Sequence, residues 1–295
     1  MPLCIPTLSI SPFHQTLASS LRIFSTSKSH PARYSNGRGV GFGLGNRERR
    51  CFASVNGVSS RFDESENGTV KKRNVVEHIL LLRAKSDLSD VEEKDMLDNL
   101  YTSQYQMRGI LAISLGRIEE PNDDNFTHAV YMRFQTKEDL SKFYVNSYYS
   151  QVLKEHVMPY CDGTISVDYE SEVEDDILPI FRRGEDFNYG AECILLISMA
   201  ENTLAGAIED ALATLRRLIA DSQSLIVQAT EGLNFNKTES IYTHAAVIRF
   251  PSLDALEIFR GSSEYKEMWR HKIQPITKKT LLIHFVVDPV GTQLM

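Results

Sequence analysis

The residues of this sequence best suited to proton transfer or ligand binding are histidines, one aspartate and two tyrosines. Imidazole changes its charge close to neutral pH, so a histidine can act as an acid, a base or a hydrogen-bonding group. The run Thr127–Phe134 alternates so that His128 begins an otherwise apolar row, and His244 begins a similar row further along. Each is either a structural histidine, hydrogen-bonded near a strand end, or a polar group at a cavity rim that orients a ligand carbonyl or hydroxyl.

The other candidate residues also have a structural and a functional interpretation. His78 lies among apolar neighbours, where a hydrogen-bonded core histidine is the simpler interpretation. Asp168 belongs to a polar row on one face of a strand, and this row either lines a wet cavity or faces solvent. Tyrosines near two helices either pack beneath the sheet or line the cavity. The candidate cavity-lining residues are His78, His128, Tyr149, Asp168, His244, Tyr265 and His284.

No motif for a metal, a phosphate group or a nucleophilic thiol accompanies these residues. The glycines between Gly37 and Gly45 precede no strand–helix unit, and no predicted helix carries a His-x-x-x-His or Glu-x-x-His set. The four cysteines show neither zinc nor redox spacing, so free thiols are expected. The sequence therefore predicts no cofactor and no metal.

The composition is typical of a soluble globular protein, with 42% hydrophobic and 24% charged residues. No run approaches the roughly 18 apolar residues that cross a bilayer, so no membrane partner is expected. The net charge is −7, but residues 1–60 carry seven Arg or Lys and a single acidic residue, Glu48, which leaves 25 basic and 38 acidic residues for the rest. A chain this acidic should repel phosphate backbones, which argues against a nucleic-acid partner.

The N-terminal segment has the character of a targeting sequence. Residues 1–60 contain eleven Ser and no long apolar core, and an Arg- and Ser-rich, acid-poor leader is typical of an organelle transit peptide. We expect a disordered transit peptide over residues 1–55 that is cleaved near Arg49–Ala53. We expect it to direct the protein to the chloroplast in preference to the mitochondrion. The alternative is a disordered tail that carries no targeting signal. Peroxisomal import has less support, because the final residues Gln293-Leu294-Met295 are unlike Ser-Lys-Leu.

The chain repeats itself. A shift of 116 positions places Thr127–Phe134 on Thr243–Phe250 with five of eight residues identical, and gives twelve identities without a gap over residues 116–164. Nearer the N-terminus a shift of 115 pairs Val75–Leu82 with Gly190–Ile197. The sequence therefore predicts two copies of a unit of about 100 residues.

Each copy reads as a βαββαβ unit, the ferredoxin-like order of an α+β fold. In the first copy we expect a strand at Val76–Arg83, and then a helix opened by a Ser89–Glu92 capping box. The later elements are strands at Ile110–Leu115 and Thr127–Phe134, a second helix over Lys137–Glu155 and a last strand at Thr164–Tyr169. The acidic stretch from Glu170 to Tyr189 has the composition of a linker. We place the first domain at residues 74–171, the linker at 172–189 and the second domain at 190–287. Such a linker reaches about 60 Å, enough to fold the second unit onto the first.

The ordered set of motifs resembles a plant family. The run Val76–Leu82, the strand Thr127–Phe134 and the closing Val167-Asp168-Tyr169 are similar to the stress-responsive dimeric α/β barrel domain. The resemblance implies that the tandem units form a dimeric-type α/β barrel, as an intramolecular pseudo-dimer or a homodimer. It also implies a stress- or defence-associated role, non-catalytic, with a small apolar molecule bound in the barrel.

One enzymatic branch of that family, a polyketide cyclase, pairs a tyrosine with a histidine six residues later. The matching positions here are Phe143 with Tyr149, and Phe259 with Tyr265. A phenyl ring transfers no proton, and a tyrosine with a pKa near 10 is a poor base at neutral pH. No catalytic residue is therefore predicted.

The alternative is a cyclase-like or monooxygenase-like enzyme of the same barrel class that uses His128, Asp168 or His244 in place of the usual pair. By the fold resemblance, Asp168 would lie near His128, raise the imidazole pKa and form an acid–base pair with it.

Overall fold

The structure is a computed structural model in which residues 71–174, 190–237 and 240–287 are described. The expected transit peptide, its processing zone and residues 175–189 of the expected linker lie outside these ranges. Within the described ranges, no helix has both the length and the apolar character needed to cross a membrane.

The first unit has the predicted order of strands and helices. Ser89 forms the expected capping box, because its Oγ accepts from the Glu92 backbone N–H while the Glu92 carboxylate accepts from the Ser89 backbone N–H. The elements are β1 (Lys72–Ala84), α1 (Asp90–Gln106), β2 (Ile110–Arg117), β3 (His128–Phe134), α2 (Lys137–Tyr144), α3 (Ser147–Val152) and β4 (Cys161–Glu174).

The second unit repeats this order, which confirms the tandem βαββαβ prediction. Its helix α4 begins without a side-chain cap, and Ser252 and Ser262 cap the next two helices. The elements are β5 (Ala191–Met199), α4 (Ala205–Asp221), β6 (Gln228–Leu233), β7 (His244–Phe250), α5 (Leu253–Gly261), α6 (Ser263–Met268) and β8 (Thr277–Val286).

Two local predictions were wrong. The second helix is not continuous from Lys137 to Glu155, because α2 ends at Tyr144 and the Asn146 side chain accepts from two backbone N–H groups to begin α3. A π-helical turn then covers Leu153–Val157. The last strand also extends to Glu174, since β4 pairs with β1 as far as Lys72, so residues 170–174 belong to the sheet and not to a linker.

Each unit forms a four-stranded antiparallel sheet, in the order β2-β3-β1-β4 or β6-β7-β5-β8. The predicted alternation along β3 is confirmed: Val130, Met132 and Phe134 join the core under the helices, whereas Ala129 and Tyr131 join the core between the sheets. On β1, His78 lies on the helix-facing side, directly opposite Asp168 of β4. The register of the sheet thus brings together two residues that are 90 positions apart.

The two sheets pack face to face within one chain. Their shared core takes buried side chains from both units, among them Ile79, Leu81, Tyr131, Tyr169, Ile194, Leu196, Val247 and Phe285. The edge strands also meet, β2 against β8 and β4 against β6. Glycine permits this approach, since a Cβ added at Gly116 would lie 2.4 Å from the Val286 carbonyl oxygen, and one at Gly232 would lie 2.5 Å from that of Glu170.

Charged pairs are buried in the space between the sheets. Arg133 donates to Glu77 at 2.7 Å, and its Nη2 also contacts the Tyr131 hydroxyl and Gln228 of the other unit, each at 2.9 Å. In the second unit Arg249 donates to Glu192 at 3.1 Å, and Ser114 of the first unit donates to the same carboxylate. Alternation along the strands places the candidate histidines on the opposite, helix-facing sides of the two sheets.

Candidate functional site

A buried histidine–aspartate pair lies on the helix-facing side of the first sheet. His78 Nδ1 and Asp168 Oδ1 are 2.6 Å apart, and neither residue is more than 1% exposed. Burial alone would raise the pKa of the Asp168 carboxyl, but His78 and two further hydrogen-bond donors hold that pKa below its ordinary value. Asp168 is therefore a carboxylate, and we assign the Nδ1 proton of His78 to this bond.

The two further donors come from different units. The Tyr144 hydroxyl donates to Asp168 Oδ2 at 2.6 Å, and Asn236 Nδ2 donates to the same oxygen at 2.9 Å. Asn236 belongs to the loop after β6, whose backbone is also bonded to β4 through Phe235 N–H and the Asp168 carbonyl. The second unit therefore completes the polar cluster of the first.

The other nitrogen of His78 is enclosed by aromatic rings. Phe134, Phe143 and Tyr144 all lie edge-on to the imidazole, at centroid distances of 5.6–6.3 Å. Nε2 is buried and has no hydrogen-bond partner among the described residues. In the neutral tautomer that carries its proton on Nδ1, Nε2 is a proton acceptor, which is the feature a general base requires.

The equivalent cluster in the second unit has different chemistry. The repeat replaces His78 by Cys193 and Asp168 by His284, and Tyr144 and Asn236 by Arg260 and Glu120. Arg260 contacts both Glu120 and His284, while burial raises the pKa of the Cys193 thiol to about 12. A thiol with such a pKa stays protonated at neutral pH and is not a reactive thiolate. His284 Nδ1 lies 3.9 Å from the Glu120 carboxylate, a longer contact than the 2.6 Å between His78 and Asp168.

The positions that match the cyclase pair are packed into the core. The rings of Phe143 and Tyr149 lie 3.9 Å apart, and those of Phe259 and Tyr265 lie 5.3 Å apart. Burial raises the pKa of the Tyr265 hydroxyl, which has no hydrogen-bond partner in the described structure. Neither pair places an acid next to a base.

His128 lies away from Asp168, so the suggested His128–Asp168 pair is not formed. Instead, its Nε2 is 2.7 Å from Glu93 of α1, and its Nδ1 is 2.9 Å from Thr127 Oγ1. Arg117 contacts the same Glu93 carboxylate. Burial would raise the pKa of Glu93, but Arg117 and His128 keep it below its ordinary value. His128 forms part of the wall of a surface cavity of about 420 Å³, alongside Lys85, Leu88 and Phe126.

His244, the repeat equivalent of His128, lies in more apolar surroundings. It forms part of the wall of a cavity of about 430 Å³ between α4 and strands β6 and β7. Burial lowers its pKa, so the ring is neutral at neutral pH. The apolar wall includes Ile197, Ile208, Leu212, Leu215, Leu233 and Ala246.

The two histidines differ because their neighbours differ. Glu93 aligns with Ile208, and Arg117, opposite His128 in the sheet, aligns with Leu233, opposite His244. The second unit has thus lost both charged groups that engage His128. The cavity wall is largely apolar, and its charged side chains, Glu209, Arg216 and Glu231, pair with one another. An uncharged imidazole in such a cavity is an arrangement suited to a small, mainly apolar ligand.

The sequence analysis did not single out three residues of these sites. Tyr144 and Asn236 differ from their repeat equivalents, and Asn236 reaches the cluster only through packing between the units. Glu93 had one detectable signal, because it lies on the same helical face as buried Leu97 and Leu100. A charged residue on that face is expected to find a buried partner.

Two βαββαβ units whose sheets pack face to face define a tandem, single-chain α/β barrel. The profile of the stress responsive A/B barrel domain matches residues 76–171 and again residues 192–287. The chain therefore belongs to the stress-responsive A/B barrel family. Both matches coincide with the two units seen in the structure.

Two stress-response A/B barrel domain-containing proteins of Arabidopsis thaliana are similar over most of the chain. One is 24% identical over 217 residues, which is 72% of this chain and 79% of that protein. The other is 22% identical over 219 residues, which is 72% of this chain and 97% of that protein. Each alignment is long enough to include both units.

A solved bacterial structure shares the fold. A Fusobacterium nucleatum protein provisionally assigned as a monooxygenase superposes with a TM-score of 0.53 at 9% identity, covering 73% of this chain and 93% of that one. At this identity the likeness extends to the arrangement of the two units and not to their chemistry.

Proposed function

We propose that this stress-associated barrel binds one small, mainly apolar molecule in the cavity beside His244 and catalyses no reaction there. The observation that carries the proposal is a neutral imidazole in the wall of an otherwise largely apolar cavity of about 430 Å³. That volume is within the range of small-molecule sites, and such sites combine apolar walls with few polar groups. The tyrosine and histidine of the cyclase branch are replaced here by phenylalanine and tyrosine, which supports the proposal that no reaction is catalysed.

The test is to fill the cavity from its wall. Ile208 lies on α4 and is half-buried in that wall, so Ile208→Trp should occupy the ligand space. The matched control is Ala213→Trp, at an exposed position of the same helix outside the cavity wall. Calorimetry with 2-naphthol should show one site in the wild type and in Ala213→Trp, and none in Ile208→Trp. Equal binding in all three proteins would place the ligand elsewhere and refute the proposal.

A second candidate function, acid–base catalysis, is favoured by the unpartnered Nε2 of His78 beside Asp168. A linear poly-β-ketone thioester is the discriminating substrate. Formation of a cyclised aromatic acid by the wild type, and its loss in His78→Ala, would establish this second function. We expect no product, because the enclosed Nε2 has no neighbouring acid at the position of Phe143.

We also infer that the protein acts in the chloroplast. The support is the Arg- and Ser-rich, acid-poor character of residues 1–60. A fluorescent protein fused after residue 60 should enter chloroplasts of plant cells. Mitochondrial fluorescence would favour targeting to the mitochondrion instead, and diffuse fluorescence would show that the segment carries no targeting signal.

A further inference from the structure

We propose that the cavity beside His244 selects a neutral molecule that presents a hydroxyl donor on an otherwise apolar frame, such as a phenol or an alcohol, over the matching carboxylate. This inference rests on the proposed function and names the chemical class of its ligand. It follows from the hydrogen-bonding state of two side chains, His244 and Glu231, and from the charges at the rim.

The first step concerns the proton of His244. Thr243 Oγ1 donates to the Ile197 carbonyl oxygen at 3.1 Å, so that hydroxyl has no proton left for the imidazole. We therefore assign the donor role to His244 Nδ1, which lies 2.9 Å from the same Oγ1. In a neutral ring the remaining nitrogen, Nε2, is then an acceptor, and it makes no hydrogen bond with any described residue.

A second acceptor lies in the same cavity wall. Glu231 of β6 is held by Arg216 through Oε1, while its Oε2 is buried and has no hydrogen-bond partner within the described ranges. An acceptor that is left without a donor when a ligand displaces water is costly, and a ligand hydroxyl would supply that donor. His244 Nε2 and Glu231 Oε2 are therefore both acceptors that lack a hydrogen-bond donor among the described residues.

The charges around the cavity disfavour an anion. Glu209 and Glu231 are the carboxylates in its wall, and the Arg216 guanidinium already pairs with both. A carboxylate ligand would meet two acceptors and no free cation among these groups. A neutral donor meets no such repulsion.

The first unit shows the same histidine with its acceptor role removed. Glu93 lies 2.7 Å from His128 Nε2, so that nitrogen already donates to a carboxylate. Because Ile208 replaces Glu93, only the second unit leaves the nitrogen free for a ligand. The ligand site is thus a property of one unit and not of the repeat.

The experiment compares three probes of one shape, 2-naphthol, naphthalene and 2-naphthoate, by calorimetry on the full chain near neutral pH. We expect 2-naphthol to bind about ten-fold more tightly than naphthalene, the gain from one hydrogen bond to the acceptor Nε2 of His244. We expect 2-naphthoate to bind more weakly than naphthalene. In His244→Phe the preference for 2-naphthol should shrink, whereas in His271→Phe, an exposed histidine, it should persist.

The outcomes separate this inference from the function on which it rests. Equal affinity for 2-naphthol and naphthalene would overturn the hydroxyl preference and leave the cavity as an apolar ligand site. Tighter binding of 2-naphthoate would overturn it in favour of an anion site. If none of the three probes binds, the proposed function itself fails. An undiminished preference for 2-naphthol in His244→Phe would remove His244 from the account.

Discussion

Asp168 is one of the residues at which the two units meet. It pairs with His78 of its own sheet and takes a further hydrogen bond from Asn236 of the other unit. Its side chain is 1% exposed, so these donors replace the water that a carboxylate normally requires. The carboxylate therefore couples the stability of the first sheet to the position of a loop in the second unit.

Removing the Asp168 charge should destabilise the protein. We expect Asp168→Asn to lower the free energy of unfolding by about 3 kcal/mol, the scale for breaking a buried charged pair. Asp162→Asn, at an exposed position of the same strand, should have little effect. The measurement is urea unfolding of both variants and the wild type near neutral pH.

The effect should also depend on pH in a defined direction. Because the folded state lowers the pKa of Asp168, its contribution is complete above the unfolded pKa, about 3.9, and is lost as the pH falls through the lower folded value. The difference between wild type and Asp168→Asn should therefore be constant at neutral pH and shrink below about pH 4. A difference that grew with acidification would contradict this assignment.

Ile208 decides whether His244 is free to meet a ligand. We expect Ile208→Glu to place a carboxylate beside His244, as Glu93 stands beside His128, and to weaken 2-naphthol binding at least about ten-fold. Ile208→Val, which keeps the wall apolar, should retain binding. Calorimetry measures both variants, and unchanged affinity in Ile208→Glu would show that the ligand does not use His244.

At the scale of single residues, the sequence predicted less of the structure than it did for the elements or for the whole molecule. The candidate residues were identified, but His78 and Asp168 were not paired in advance, because their contact depends on the register of β1 against β4. The different environments of His128 and His244 depend on α1 and α4, whose aligned residues Glu93 and Ile208 carry no motif. Alternation identifies a face of a strand and not the residue that covers it.

At the scale of the elements, Asn146 separates two helices. Its side chain accepts from the Tyr148 and Tyr149 backbone N–H groups and so begins α3, at the position where Ser262 begins α6. We expect Asn146→Ala to cost about 1 kcal/mol of stability, and Asn146→Ser to cost much less. Thermal unfolding of the two variants checks this, and equal losses would show that the cap is not the reason for the break.

Gly116 lies where the edge strands of the two sheets meet. An added Cβ would lie 2.4 Å from a backbone oxygen of β8, so Gly116→Ala should force the strands apart and cost about 2 kcal/mol. Gly206→Ala is the control, since a Cβ there meets nothing within 4 Å. Urea unfolding compares the two, and an undiminished stability of Gly116→Ala would mean that the edge contact is looser than described.

Most of the fold could be predicted at this scale, because repetition and periodicity are local properties of the chain. The capping box at Ser89 and the alternation along β3 both appear in the structure as expected. The break at Asn146 was missed, since the helical pattern continues through it and only the side-chain cap reveals it. The length of β4 was missed because its acidic end is exposed on one face and pairs with β1 on an edge.

At the scale of the whole molecule, duplication has produced two units that share a core but differ in their sites. The interior between the sheets links Arg133 with Gln228, and Ser114 with Glu192, across the two units. Each helix-facing cluster also borrows one side chain, Asn236 or Glu120, from the opposite unit. Because the barrel forms within one chain, each unit has been able to change without affecting a symmetric copy.

The central claim is that one chain forms the complete barrel and holds one neutral ligand in the cavity beside His244. Native mass spectrometry of the protein purified from its natural source reports both properties in one spectrum. The account predicts a single chain carrying one small molecule, which is released as a neutral species on activation and contains a hydroxyl group. A dimer, or a chain that carries no small molecule, would contradict it.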